Sequence, residues 1–191
     1  MRFIMISLMF LLAVSFIQAE EANFLGMKWG SSLEEATKVM KANGFVPDPT
    51  ENVTTKHFVG YMFEGKVSNN KCLALIAFNK KDELVKVRLG LIPKYESNVF
   101  ELFATVMQSL NDKYGESSQS TLRFDSPYEY GDGYEVQAIK MGKCVAVALW
   151  VIDKVAIGIV LEREVYVSLT YEGPGWDLIL KANKEDTTSM F

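Results

Sequence analysis

Two apolar runs of one pattern, each a fixed distance behind a helix-stopping glycine, restrict this chain to few architectures. Lys71-Cys72-Leu73-Ala74-Leu75-Ile76-Ala77-Phe78 is echoed by Lys143-Cys144-Val145-Ala146-Val147-Ala148-Leu149-Trp150, 72 residues further on. Ahead of each run a helix-like segment stops at a glycine, Gly44 and then Gly115, 71 residues apart. A matched spacing of helix end and apolar strand predicts a duplicated αβ unit, and repetition of this kind speaks to architecture before chemistry.

The first helix is predicted to open at Ser32, which has capping-box spacing to Glu35, so that hydroxyl and carboxylate each satisfy an orphan backbone N–H. Leu33, Ala36, Val39 and Met40 follow at helical period. Asn43-Gly44 ends the helix, glycine entering the left-handed conformation without a Cβ penalty. Pro47 and Pro49 then read as an irregular connection. Strands are expected over His57–Glu64, Cys72–Phe78 and Glu83–Ile92. A second, more apolar helix is expected over Ser97–Tyr114. After it come strands over Ser120–Phe124, Tyr134–Met141, Cys144–Val151, Val155–Glu162 and Val165–Tyr171, with hairpin turns at Asp132-Gly133, Met141-Gly142 and Ile152-Asp153. A terminal helical turn over Trp176–Lys181 and a frayed tail over 184–191 complete the reading. The predicted class is α+β, a duplicated α-βββ unit whose antiparallel sheet carries its helices on one face. The two repeats are expected over 20–93 and 94–183.

Residues 1–19 read as a secretory signal peptide. Arg2 gives a positive start, Phe3–Ile17 is apolar apart from two serines, and Ala19 supplies the small residue for cleavage. The apolar run is short of the ~20 residues that span a bilayer. The remaining 172 residues, of net charge −5, are enough for a sizeable core and contain no second run of membrane-spanning length. Their acidity argues against nucleic acid, which needs clustered Lys and Arg. The expected location is periplasmic or secreted. The mature chain keeps two cysteines, Cys72 and Cys144, open to two readings: a disulfide between equivalent strands, or two buried thiols. Asn52-Val53-Thr54 forms a glycosylation sequon, relevant only to a eukaryotic secretory route.

The lead-in Phe24-Leu25-Gly26-Met27-Lys28-Trp29-Gly30-Ser31-Ser32-Leu33-Glu34-Glu35-Ala36 resembles the opening of exported bacterial αβ modules. With the tandem echo, it is similar to the superfamily of the β-lactamase inhibitory protein and the small lipoprotein of the outer-membrane assembly machinery. The second half lacks the W-G-x-S lead-in, and no lipid-carrying cysteine follows the apolar N-terminus. The resemblance implies a non-enzymatic role in binding another protein.

Catalytic signatures are sparse. His57 is the only histidine, and no G-x-S-x-G or P-loop is present, so His57 reads as a surface histidine. No cofactor or metal is predicted. The stretch Asp125-Ser126-Pro127-Tyr128-Glu129-Tyr130-Gly131-Asp132-Gly133-Tyr134-Glu135 gathers carboxylates and tyrosines. Its spacing does not match an EF-hand calcium loop. Tyrosine offers a large contact area with a polar tip, so Tyr128, Glu129, Tyr130, Asp132 and Tyr134 are the expected partner contacts, suited to a basic surface. Of the tryptophans, Trp29 is expected to staple the first helix to the sheet and Trp150 to lie in the core, which leaves Trp176, between Gly175 and Asp177, as the candidate for exposure. The expected function is an exported protein-binding module, with a secreted enzyme inhibitor and, behind it, a carboxylate-dependent hydrolase as alternatives.

Overall fold

A computed structural model describes residues 22–188; the predicted signal peptide and its cleavage site lie outside them. The protein is α+β, built on one antiparallel sheet of eight strands in the order β1-β2-β3-β4-β8-β7-β6-β5. Helix α1 (Leu33–Ala42) precedes β1 (Val46–Thr54), β2 (Phe58–Val67), β3 (Asn70–Asn79) and β4 (Leu84–Ile92). After a single 3₁₀ turn, helix α2 (Val99–Tyr114) precedes β5 (Gln119–Phe124), helix α3 (Glu135–Lys140), β6 (Cys144–Ile152), β7 (Val155–Glu162) and β8 (Tyr166–Glu172). Helix α4 (Trp176–Thr188) comes last. Each half is a helix followed by a four-strand meander, and the meanders join where β4 pairs with β8.

The α-βββ reading is one strand short in the first half. Val46–Thr54 forms an edge strand despite Pro47 and Pro49, because an edge tolerates missing ladder donors. Its register on β2 slips between Asp48 and Val53, where Asn52 Oδ1 accepts the Met62 N–H at 3.1 Å. The echo joining Cys72 to Cys144 is also not a structural equivalence. It relates β3, third from one edge, to β6, second from the other. Four inter-strand spacings separate them, about 19 Å at ~4.8 Å each. A disulfide is therefore excluded, since it needs Cα atoms within ~7 Å. Both cysteines are free thiols; Cys72 is buried and Cys144 half-buried. Burial pushes the Cys72 thiol up to about 12 and raises Cys144 as well. The intact mass of the protein should accordingly not change on reduction. A thiol reagent should label Cys144 before Cys72 in the native state, and both after unfolding.

Most of the other strand spans match the sequence reading because alternation is local. In β7, Val155, Ile157, Ile159 and Leu161 are buried while the residues between them are not. Residues directly opposite on antiparallel strands share a face. Cys72, Ala74, Ile76 and Phe78 thus share one face with Val87, Leu89 and Leu91, with Ala146, Ala148 and Trp150, and with Val167, Leu169 and Tyr171. Ala36 and Met40 of α1 and Val99, Leu102, Phe103 and Leu110 of α2 belong to the same core. This face carries most of the buried apolar surface.

The lead-in segment closes that core at one end. Phe24 and Met27 are buried, Gly30 N–H donates to Leu84 O, and Leu84 N–H donates back to Ser31 O. Trp29 lies against Gly173, at the end of β8, and donates its indole N–H to Ala22 O at 2.8 Å. Ser32 caps α1 with the predicted reciprocal bonds to Glu35, and Gly44 (φ 80°) ends it.

Not every helix lies on this face. Helix α4 packs on the opposite one, where Trp176 and Ile179 cover Ala77, Val85 and Phe58. Val85 faces that way because the register slips between Ala77 and Phe78, leaving it as the extra residue of a bulge. The Lys86 ammonium sits 4.3 Å from the centre of the Trp176 ring. Trp176 is buried rather than exposed. The tail expected to fray continues α4 to Thr188, and Asp186 binds both Lys56 and His57 at 2.7 Å. These two contacts hold the Asp186 carboxyl below its usual 3.8. Residues 189–191 lie outside the described residues.

Candidate functional site

Two surfaces stand out, one anticipated and one not. The anticipated surface is the segment between β5 and α3. The strand expected over Tyr134–Met141 is instead the helix α3, with Ala138 and Ile139 buried. Six residues are too few for periodicity to separate helix from strand. The deciding signal is Gly142 (φ 66°): it donates to Ile139 O while Lys143 N–H reaches Ala138 O, which makes Met141-Gly142-Lys143 a helix terminus rather than a hairpin turn.

Within the segment two of the four carboxylates, Asp132 and Glu135, turn the backbone. Asp132 accepts from Glu129 N–H at 2.9 Å and from Tyr134 N–H at 2.7 Å, and Glu135 accepts from Gly131 N–H at 2.8 Å. Gly131 and Gly133, at φ 88° and 81°, take the left-handed conformations this winding needs. Asp125 pairs with Arg123 at 3.2 Å. The surface offered is therefore aromatic more than acidic, which weakens the expected match to a basic partner. Tyr130 and Tyr134 are 68% and 61% exposed, Glu129 is exposed and Tyr128 half-buried. Tyr130 also leans on Phe100 and Phe124, with ring centres 6.0 and 6.2 Å away. The structure thus gathers Tyr130 with core-facing rings and leaves Tyr134 projecting.

The second surface is the part of the sheet that α4 leaves uncovered. By the pairing of β6 with β7, Val147, Leu149 and Val151 share it with Ala156, Gly158 and Val160. Val151 is 61% exposed and Val160 37%. Leu149 and Val160 border a recess of about 260 Å³, with Lys86, Arg88, Glu162 and Glu172 around it. Lys86 pairs with Glu172 at 2.7 Å and Arg88 with Glu162 at 3.0 Å, and Arg88 Nε donates to Ser168 Oγ at 3.0 Å. The result is a half-exposed aliphatic floor edged by charges already neutralised in pairs. The signal for it lay in the sequence: Val145 to Val151 is apolar at every position, although only Ala146, Ala148 and Trp150 are buried. Reading such a run as covered on both faces hides the open one.

Neither surface resembles a hydrolytic centre. A larger groove of about 470 Å³ between α2 and the sheet has Glu101 as its single carboxylate. On the open face, Glu162 and Glu172 each hold a cation rather than share a proton. His57 is occupied with Asp186 beside the β1–β2 turn. No cluster of three His, Cys, Asp or Glu suited to a metal ion occurs among the described residues. No helix among them is long and apolar enough to cross a membrane.

No family model matches this chain, and neither a curated protein nor a solved structure matches it.

Proposed function

We propose that this chain is an exported, non-enzymatic protein-binding module of the bacterial periplasm or exterior, and that the uncovered face of β6 and β7 is its docking surface. The observation that carries the reading is the exposure of Val151 and Val160 on a sheet face whose neighbours are aliphatic. A contiguous apolar patch with a polar rim is what protein partners cover. The ion-paired rim suits a partner with an apolar centre and few unpaired charges. Export rests on residues 1–19, and the likeness of the lead-in to exported αβ modules points the same way.

A sharper reading, a secreted enzyme inhibitor, draws on Tyr130 and Tyr134. Their loop is wound by its own carboxylates, so two rigid aromatic anchors stand ready without an ordering cost at the moment of binding.

One experiment separates the two. The protein is immobilised and challenged with its host's envelope extract, and saturable binding of the retained protein is compared across variants. Val160→Arg should weaken binding by about tenfold or more, because a charge would be buried at the contact. Its melting temperature should stay near that of the parent, since Val160 is already exposed. The double variant Tyr130→Ala/Tyr134→Ala should bind nearly as well as the parent. The reverse pattern transfers the site to the loop. Absence of any saturable retention removes the binding role altogether.

A further inference from the structure

The two edges of the sheet are built differently. Edge strand β1 carries Pro47 and Pro49, a register slip, and the charges of Asp48 and Glu51. Those are the devices that keep an edge from pairing with another chain. Edge strand β5 has none of its prolines or slips: Gln119-Ser120-Thr121-Leu122-Arg123-Phe124 runs in unbroken register along β6. Residues 119–123 are all exposed.

Its hydrogen-bonding parity is set by its last contact. Asp125 N–H donates to Lys143 O at 2.8 Å, so the odd-numbered residues of β5 bond inward to β6. The N–H and C=O groups of Ser120, Leu122 and Phe124 therefore point away from the sheet.

We infer that β5 pairs with β5 of a second copy of this chain, antiparallel about a two-fold axis through Leu122. That register sets Leu122 against its own counterpart, Ser120 against Phe124, Thr121 against Arg123 and Gln119 against Asp125. The three outward residues of each strand then make about six new backbone hydrogen bonds. Leu122, 54% exposed in the single chain, gains an apolar neighbour on the axis. No like charges face each other, because Arg123 meets threonine and Asp125 meets glutamine. Self-complementarity of this kind is what a two-fold interface requires. The axis stands perpendicular to the sheet, so the open faces of both copies lie on the same side and form one doubled surface. A six-residue strand covers less than the ~1,200 Å² of a standard stable interface, so the pair forms and dissociates with concentration.

Sedimentation velocity of the purified protein tests this. The mass should rise from one chain toward two between about 1 and about 300 μM, the range in which a small interface associates. Leu122→Lys places two ammonium groups on the axis, and Leu122→Pro removes an outward N–H without touching the bonds to β6. Both should remain single chains, with melting curves close to the parent's. In a cross-linking arm, Leu122→Cys should give a disulfide-linked pair under mild oxidation, whereas Thr121→Cys, off the axis, should not. A parent that stays a single chain across the range overturns the inference. So does a pair that persists undiminished in Leu122→Lys and Leu122→Pro, or equal cross-linking at 121 and 122.

Discussion

Replacing Trp150 with alanine is expected to remove about 3–5 kcal/mol of stability, the range for deleting a large buried aromatic side chain. Trp150 is 1% exposed and sits in β6 on the core face. Its indole N–H donates to Gly115 O at 2.9 Å and lies 3.2 Å from Asn111 Oδ1. One side chain thus ties the C-terminal end of α2 to the sheet and fills space beneath it. A domain of this size holds roughly 5–15 kcal/mol in total, so the loss is a large fraction of it and the variant should unfold at far lower urea. Trp150→Phe keeps most of the volume and loses the donor, and should cost about 1–3 kcal/mol. Equal losses in the two variants would show that the hydrogen bond, and not the filled volume, dominates.

Gly173→Ala should destabilise by about 1–3 kcal/mol, although alanine is the smallest possible addition. A Cβ at 173 would overlap Cε3 of Trp29, a ring that the Ala22 carbonyl holds in place. Ring or strand must shift, and either movement disturbs the seam where the lead-in meets β4 and β8. Gly173 N–H also donates to Val85 O and its carbonyl accepts from Trp176 N–H, which limits backbone relaxation. The diagnostic is a double-mutant cycle. With Trp29→Leu already present, Gly173→Ala should cost close to nothing, because the clashing ring is gone. Additive losses would place the cost in the backbone instead.

These two residues illustrate what could be read in advance. Trp29 and Trp150 sit inside local patterns, a helix lead-in and an apolar strand, and both fall where those patterns indicate. Trp176 comes after a Gly-Pro-Gly break with no periodic context long enough to show a buried face, and it is buried by Phe58, Ala77 and Val85 from distant strands. The candidate site divides the same way. The exposed tyrosines of the β5–α3 loop were legible from composition, whereas the role of Asp132 and Glu135 in winding that loop depends on how the backbone turns. The open face of β6 and β7 was written in an all-apolar run, but its exposure depends on where α4 comes to rest.

Sequence alone determined the α+β class, the α1 cap at Ser32 and its stop at Gly44, and most strand spans, because caps and alternation act within a few residues of chain. Tertiary structure alone decided that β4 and β8 lie side by side, that Cys72 and Cys144 sit four strands apart, and that one helix crosses to the far face. Strand pairing is made by backbone groups that are alike at nearly every residue. The order of strands therefore depends on the packing of the whole chain, and no short segment carries it.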